Sequence, residues 1–128
     1  MAALVIATSD NGAEHRAYEP LRESKRSIYE GGHRVPFIVR WPGHIKPGTT
    51  DAVTAFWDFL PTALDLAGSS NKPKSLDGQS IVPTLLGDRP QSAREPLYWE
   101  TVTGGHQAVR MGDWKGLRLG AAKKADAP

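Results

Sequence analysis

Cysteine is absent from all 128 residues. That excludes a disulfide framework and any thiol site, and it leaves the redox compartment open. No apolar run is long enough to cross a membrane, which takes about 20 residues as a helix. The N-terminus lacks a basic stretch followed by an apolar core and a cleavage site, so no signal peptide is read there. Excess charge of one sign is missing too: 16 Lys and Arg stand against 14 Asp and Glu, for a net +2. The basic residues are scattered and not interleaved with aromatic platforms, which argues against a nucleic-acid partner. No internal repeat or heptad is visible. Turn formers, in contrast, are plentiful, with 13 Gly and 10 Pro beside an ordinary 39% apolar fraction. Such a composition suits a loop-rich α/β region of a soluble globular protein, and the length allows one domain with its own core.

The most informative stretch comes first. Residues 2–7 form an apolar, β-rich run that reads as a buried strand over 1–9. It delivers the chain into Thr8-Ser9-Asp10-Asn11-Gly12. Asp10 and Asn11 there present a carboxylate and an amide carbonyl side by side, both hard oxygen donors suited to Ca²⁺ or Mg²⁺. The carboxyl end of a parallel strand is also where open α/β sheets place their sites. The same residues equally form an ordinary turn, since Asn and Gly tolerate left-handed backbone and Asp caps loops. From residues alone both readings stand.

Beyond this stretch, residues 12–34 read as a long loop, a length that is uncommon unless functional. A second strand is expected over 35–40, with Pro36 near its start, and a third near 51–56. Asp58 stands at an N-cap position, Pro61 falls in the first turn, and Leu60, Ala63, Leu64 and Ala67 repeat at helical spacing up to Gly68. Residues 69–77 read as an exposed linker. Residues 80–86 form a short helix stopped by Gly87, and strands follow over 97–102, 107–111 and 114–119, with a tight turn at 111–114. The polar tail, 121–128, is expected to be disordered. The four tryptophans show no stacking periodicity and read as packing residues.

Several blocks lie in order along the chain. After the Ser-Asp-Asn-Gly stretch come Lys25-Arg26-Ser27-Ile28-Tyr29-Glu30-Gly31-Gly32, then Arg34-Val35-Pro36-Phe37-Ile38-Val39 and Trp41-Pro42-Gly43. Asp58-Phe59-Leu60-Pro61-Thr62, Leu66-Ala67-Gly68, Asp77-Gly78-Gln79-Ser80 and Val109-Arg110-Met111-Gly112-Asp113-Trp114-Lys115 follow. Each block is weak; their order and spacing together resemble the arylsulfatase-type sulfatase family of the alkaline-phosphatase superfamily, in its C-terminal portion. The resemblance covers nearly the whole chain. It implies an α/β fold: the C-terminal part of an alkaline-phosphatase-like mixed sheet with flanking helices over 1–88, then a small antiparallel β subdomain with a flexible tail over 89–128. It places the family's Asp-Asp pair and its Cys/Ser-x-Pro-x-Arg motif, source of the formylglycine nucleophile, in an N-terminal part of the same protein. This sequence contains no such motif.

By the same resemblance, Asp10 and Asn11 match the second pair of metal ligands, for a divalent cation with Ca²⁺ favoured over Mg²⁺. Two ligands fall short of the six or more these ions take, so weak or no metal binding by this chain alone is expected. Lys25 matches the lysine that contacts the sulfate and the ester oxygen; a solvated surface lysine is the plain alternative. His15, just past Gly12, is a candidate substrate contact, or an idle loop histidine. Arg26 reads as a partner for an acidic neighbour. Gly31 and Gly32 read as a tight turn behind the site, and Glu30 with Arg34 as an ion pair bracing it. No role is assigned to His33, His44 or His106.

The implied activity is hydrolysis of sulfate monoesters, aryl sulfates or sulfated sugars, in a periplasmic, secreted or lysosomal setting. Two other classes remain at this point. One is a phosphonate or phosphodiester hydrolase of the same superfamily; the other is a non-catalytic remnant or C-terminal module, which the missing nucleophile favours.

Overall fold

A computed structural model describes residues 3–15, 19–102 and 104–120. Two compact units divide the chain, each assembled from separated stretches: Met1–Val5 with Val39–Arg94, and Ile6–Ile38 with Glu95–Pro128. The expected tail, 121–128, lies outside the described residues.

The first strand, β1, runs over Val5–Thr8 and pairs in a two-stranded sheet with β2, Phe37–Arg40. Among the described residues between them lies one short helix, α1, Glu30–His33, inside the stretch expected to be loop.

In the first unit, a 3₁₀ turn at Phe56–Asp58 leads into α2, Phe59–Leu66, and then α3, Val82–Leu86. The strand expected near 51–56 does not form. Its backbone donors are taken locally: the Ala52 N–H donates to Thr50 Oγ1 (3.2 Å) and the Ala55 N–H to Asp58 Oδ2 (2.7 Å). Side chains that satisfy the backbone this way compete with a sheet ladder. Asp58 is the N-cap of α2 by position, but its side chain makes no capping bond to the helix. It is instead 1% exposed and takes both Arg94 guanidinium nitrogens, at 2.8 and 3.0 Å, plus the Gln79 N–H at 3.0 Å. Thr62 Oγ1 donates to the Asp58 carbonyl and accepts from the Ile81 N–H (3.1 Å), so α2 and the start of α3 share one buried polar seam beside Ile81 and Val82. Gly68 and Gly87 close these helices with φ of 61° and 64°, a conformation glycine adopts at no steric cost.

The second unit holds an antiparallel meander of β3 (Leu97–Glu100), β4 (Gln107–Met111) and β5 (Trp114–Arg118). Register pairs Leu97 with Arg110, and Arg110 with Lys115. Side chains alternate across a sheet, so Leu97, Trp99, Ala108, Arg110, Lys115 and Leu117 share one face. Leu97 and Ala108 on that face are buried, as is Ile28 in the same unit. The opposite face carries Tyr98, Val109, Met111 and Trp114, all exposed. Trp114, read from sequence as a packing residue, is therefore 82% exposed at the hairpin end, whereas Trp99 packs inward.

Candidate functional site

The residues singled out from sequence all fall in the second unit, around the turn that follows β1. Ser9 Oγ donates to the Asn11 carbonyl (3.0 Å), bending the chain as soon as the strand ends. Asp10 is exposed there and Asn11 half-buried. The Gly12 N–H then donates to the Gly32 carbonyl at 2.9 Å. Glycine is required by proximity rather than by dihedral angle: a Cβ on Gly12 would run into the Gly31 carbonyl, one on Gly31 into that of Glu23, and one on Gly32 into that of Ser27. Gly31 and Gly32 were read as a turn; they are in fact two buried residues of α1 against which other backbone segments close.

Lys25 joins the same assembly. Its N–H donates to the Ala13 carbonyl (2.9 Å), while the Gly31 N–H donates to the Arg22 carbonyl (2.9 Å). The flanking residues Glu23 and Arg26 sit at φ of 65° and 72°. Left-handed backbone at non-glycine residues costs roughly 1 kcal/mol each, and such strain gathers at functional segments. The Lys25 ammonium lies 3.8 Å from Glu14 Oε2, and Arg26 pairs with the other oxygen of Glu14 at 3.3 Å. Exposed pairs of this kind contribute little stability, but Glu14 supplies the counter-charge that keeps both cations near the turn. His15 is exposed on the same stretch. Arg22 stacks over the Tyr29 ring at 4.1 Å, bracing the base of the loop.

One feature of the unit was not legible from local pattern. Glu30 does not pair with the Arg34 side chain; Arg34 contributes its backbone N–H to the Glu30 carbonyl (2.7 Å). The Glu30 carboxylate reaches β4 and β5 instead, with Lys115 Nζ at 2.7 Å and Arg110 Nη1 at 3.3 Å. His33 Nε2 lies 3.3 Å from the same carboxylate and 2.8 Å from Lys115 Nζ, with its ring stacked on Trp99 at 4.7 Å. That nitrogen serves one partner at a time: bare, as in the Nδ1–H tautomer, it accepts from Lys115; carrying a proton, it donates to Glu30. The His33 contact first, and the Lys115 ammonium next, hold the Glu30 carboxyl down from 4.5 to about 2, against burial that raises it. A signal for this cluster did exist. Arg110 and Lys115 are directly opposite in the hairpin register, and two like charges in that position call for an anion between them.

A family model described as Sulfatase matches residues 2–69. The chain belongs to the sulfatase family. It is 39% identical to human arylsulfatase A over 88% of its own length and 24% of that relative. Steryl-sulfatase from Rattus norvegicus is 37% identical over 74% of this chain and 19% of that protein. A solved structure of a protein in complex with its substrate, D-glucosamine-2-N, 6-O-disulfate, is similar in fold: the TM-score is 0.62 at 25% identity, covering 91% of this chain and 27% of the other. This chain thus spans about a quarter of the length of the relatives it matches. The fold is the α/β, alkaline-phosphatase-like one, with its small three-stranded antiparallel sheet.

Asp10 and Asn11 fit a hard divalent cation in kind, as adjacent oxygen donors at a turn, but not in number. Among the described residues no cluster of three or more His, Asp or Glu side chains comes together to hold a metal. For formylglycine the chain does not fit at all: it has no cysteine and no Ser-x-Pro-x-Arg run. Among the described residues, no helix is long and apolar enough to cross a membrane.

Proposed function

We propose that this chain supplies one side of the active site of a sulfate monoester hydrolase. The observation that carries the proposal is the Lys25 N–H bond to Ala13 (2.9 Å). It ties the loop bearing the lysine to the same stretch that bears Asp10 and Asn11, so the anion-binding and metal-binding residues of the family's pattern lie on two joined segments.

Asp10 and Asn11 would hold the divalent cation, with Ca²⁺ the better match to an all-oxygen site. When bound, such an ion neutralises sulfate charge and polarises its oxygens. Lys25 donates hydrogen bonds to a sulfate oxygen and to the bridging ester oxygen. As the ester bond breaks, negative charge grows on that oxygen, and a fixed ammonium stabilises it more than it stabilises the intact ester. Glu14 orients the ammonium before the anion arrives and gives it up to the sulfate. His15 is assigned to the substrate at the exposed rim. The nucleophile is not assigned to any residue of this chain.

The relatives support the substrate class: they include arylsulfatases and a protein whose structure holds its substrate, a sulfated glucosamine. An aryl sulfate or sulfated sugar is therefore the proposed substrate. The test uses the protein expressed from its complete reading frame, assayed with p-nitrophenyl sulfate and, in parallel, p-nitrophenyl phosphate diesters and phosphonates. Lys25→Ala is expected to lower kcat about 100-fold or more, the scale for removing one donor to a developing oxyanion. Faster turnover of the phosphorus esters, or wild-type kcat in Lys25→Ala, would overturn the assignment.

A further inference from the structure

The site turn rests on α1, and α1 rests on Glu30. Its carboxylate is engaged on both oxygens by β4 and β5, through Lys115 at 2.7 Å and Arg110 at 3.3 Å. These partners are 80 and 85 residues away in sequence. Lys115 is further confined by the Trp99 ring at 5.1 Å and by His33 at 2.8 Å. Immediately after Glu30, the Gly31 N–H holds the Arg22 carbonyl, and the Gly32 carbonyl holds the Gly12 N–H. The first of these bonds anchors the loop that carries Lys25. The second anchors the stretch that carries Asp10 and Asn11. No room exists for a side chain at any of the three glycines, so a displacement of α1 is passed on to both arms.

We propose that Glu30, clamped by the cross-strand pair Arg110 and Lys115, is the positioning residue of this site, setting the place of both the Asp10–Asn11 turn and the Lys25 loop. Glu30 touches neither metal nor substrate. It acts through the α1 backbone, and the meander's role is to supply the two cations that hold it. The assignment of a site to these arms rests on the sulfate-ester reading above; the mechanical linkage does not.

The experiment reads amide hydrogen exchange, residue by residue, in the protein expressed from its complete reading frame, comparing wild type, Lys115→Met, Glu30→Gln and Lys115→Arg. In the first two variants exchange at Gly12 and Gly31 is expected to accelerate at least tenfold, while Ala55 and Gln79, bonded to Asp58 in the other unit, keep wild-type rates. Lys115→Arg, which preserves the charge, is expected to restore protection. In parallel, kcat with p-nitrophenyl sulfate should fall in Glu30→Gln and in Lys115→Met and stay near wild type in Lys115→Arg. If Lys115→Met does not fold, the near-isosteric Glu30→Gln carries the test. Gly12 and Gly31 rates within twofold of wild type in Glu30→Gln would overturn the proposal. Equal acceleration at Ala55 and Gln79 would also overturn it, since Glu30 would then be a general stability contact. A local exchange response in a protein that hydrolyses no sulfate ester would keep the linkage and sink the functional reading instead.

Discussion

Each compact unit has a carboxylate that ties distant segments together, Asp58 in the first and Glu30 in the second, and the two differ in what surrounds them. Asp58 has a side chain only 2% exposed, with Arg94 at 15%. It accepts two backbone N–H groups as well as both guanidinium nitrogens. Glu30 is 25% exposed, and its partners are a lysine, an arginine and a histidine. In a chain without disulfides both replace a covalent tie. A buried, fully bonded carboxylate is expensive to disturb, whereas a half-exposed one is worth less but is placed where backbone of the site depends on it. On the reading proposed above, the first serves the fold and the second the site.

The strongest way to break that contrast is Arg94→Met. It leaves the Asp58 carboxylate buried without its cation, a change that costs about 3–5 kcal/mol. Against a total stability of roughly 5–15 kcal/mol for a domain, most of the folded population is at stake. Urea denaturation should show the loss directly. A midpoint shift worth less than about 2 kcal/mol would place Asp58 in the same class as Glu30.

Gly12→Ala comes next. Its Cβ would enter the space of the Gly31 carbonyl, so backbone must move, at about 1–3 kcal/mol for an overpacked contact. Because that backbone carries the site, kcat/KM should fall by more than stability alone predicts. Gly48→Ala is the control, with open space where its Cβ would sit; stability there should stay within about 0.5 kcal/mol. Equal effects at the two positions would remove the argument from close approach.

Acid titration sharpens the Glu30 side of the comparison. Its carboxyl is held at about 2 in the fold against 4.5 ordinarily. A carboxylate with a lowered folded pKa contributes stability that is complete above its unfolded value and is lost as pH falls through the folded one. The stability difference between wild type and Glu30→Gln should thus be fully present at about pH 5 and shrink between 4.5 and about 2. With solvent screening, the plateau is on the order of 1–2 kcal/mol. A difference that does not change across that window would mean Glu30 is not held ionised by its partners.

Much of this architecture was legible in the sequence because its causes are local. Gly68 and Gly87 stop helices through their own dihedrals, and the Met111-Gly112-Asp113-Trp114 turn fixes a hairpin register by itself. The family's ordered blocks singled out Asp10, Asn11 and Lys25, and a backbone bond from Lys25 to Ala13 joins the two segments that bear them. What was missed depends on partners far along the chain. The strand expected near 51–56 lost its donors to Thr50 and Asp58. Glu30 was assigned to Arg34, four residues on, when its partners lie on a hairpin that no helical or strand period connects to it. The role of Gly31 and Gly32 was read from dihedral freedom, but the decisive fact is how closely three carbonyls approach.

The smallest expected effect tests whether strain around Lys25 has a purpose. Glu23 holds φ at 65°, and a glycine there would relieve roughly 1 kcal/mol of left-handed backbone energy. Glycine also loses more freedom on folding, by about 0.5–1 kcal/mol, so the two effects nearly cancel. Glu23→Gly should therefore leave thermal stability almost unchanged. If the strained turn fixes where the Lys25 ammonium stands, loosening it should raise KM for the sulfate ester severalfold with kcat reduced in step. Unchanged kinetics would make the positive φ incidental to the loop and leave the Ala13 bond, the Glu14 carboxylate and the Glu30 clamp to place Lys25.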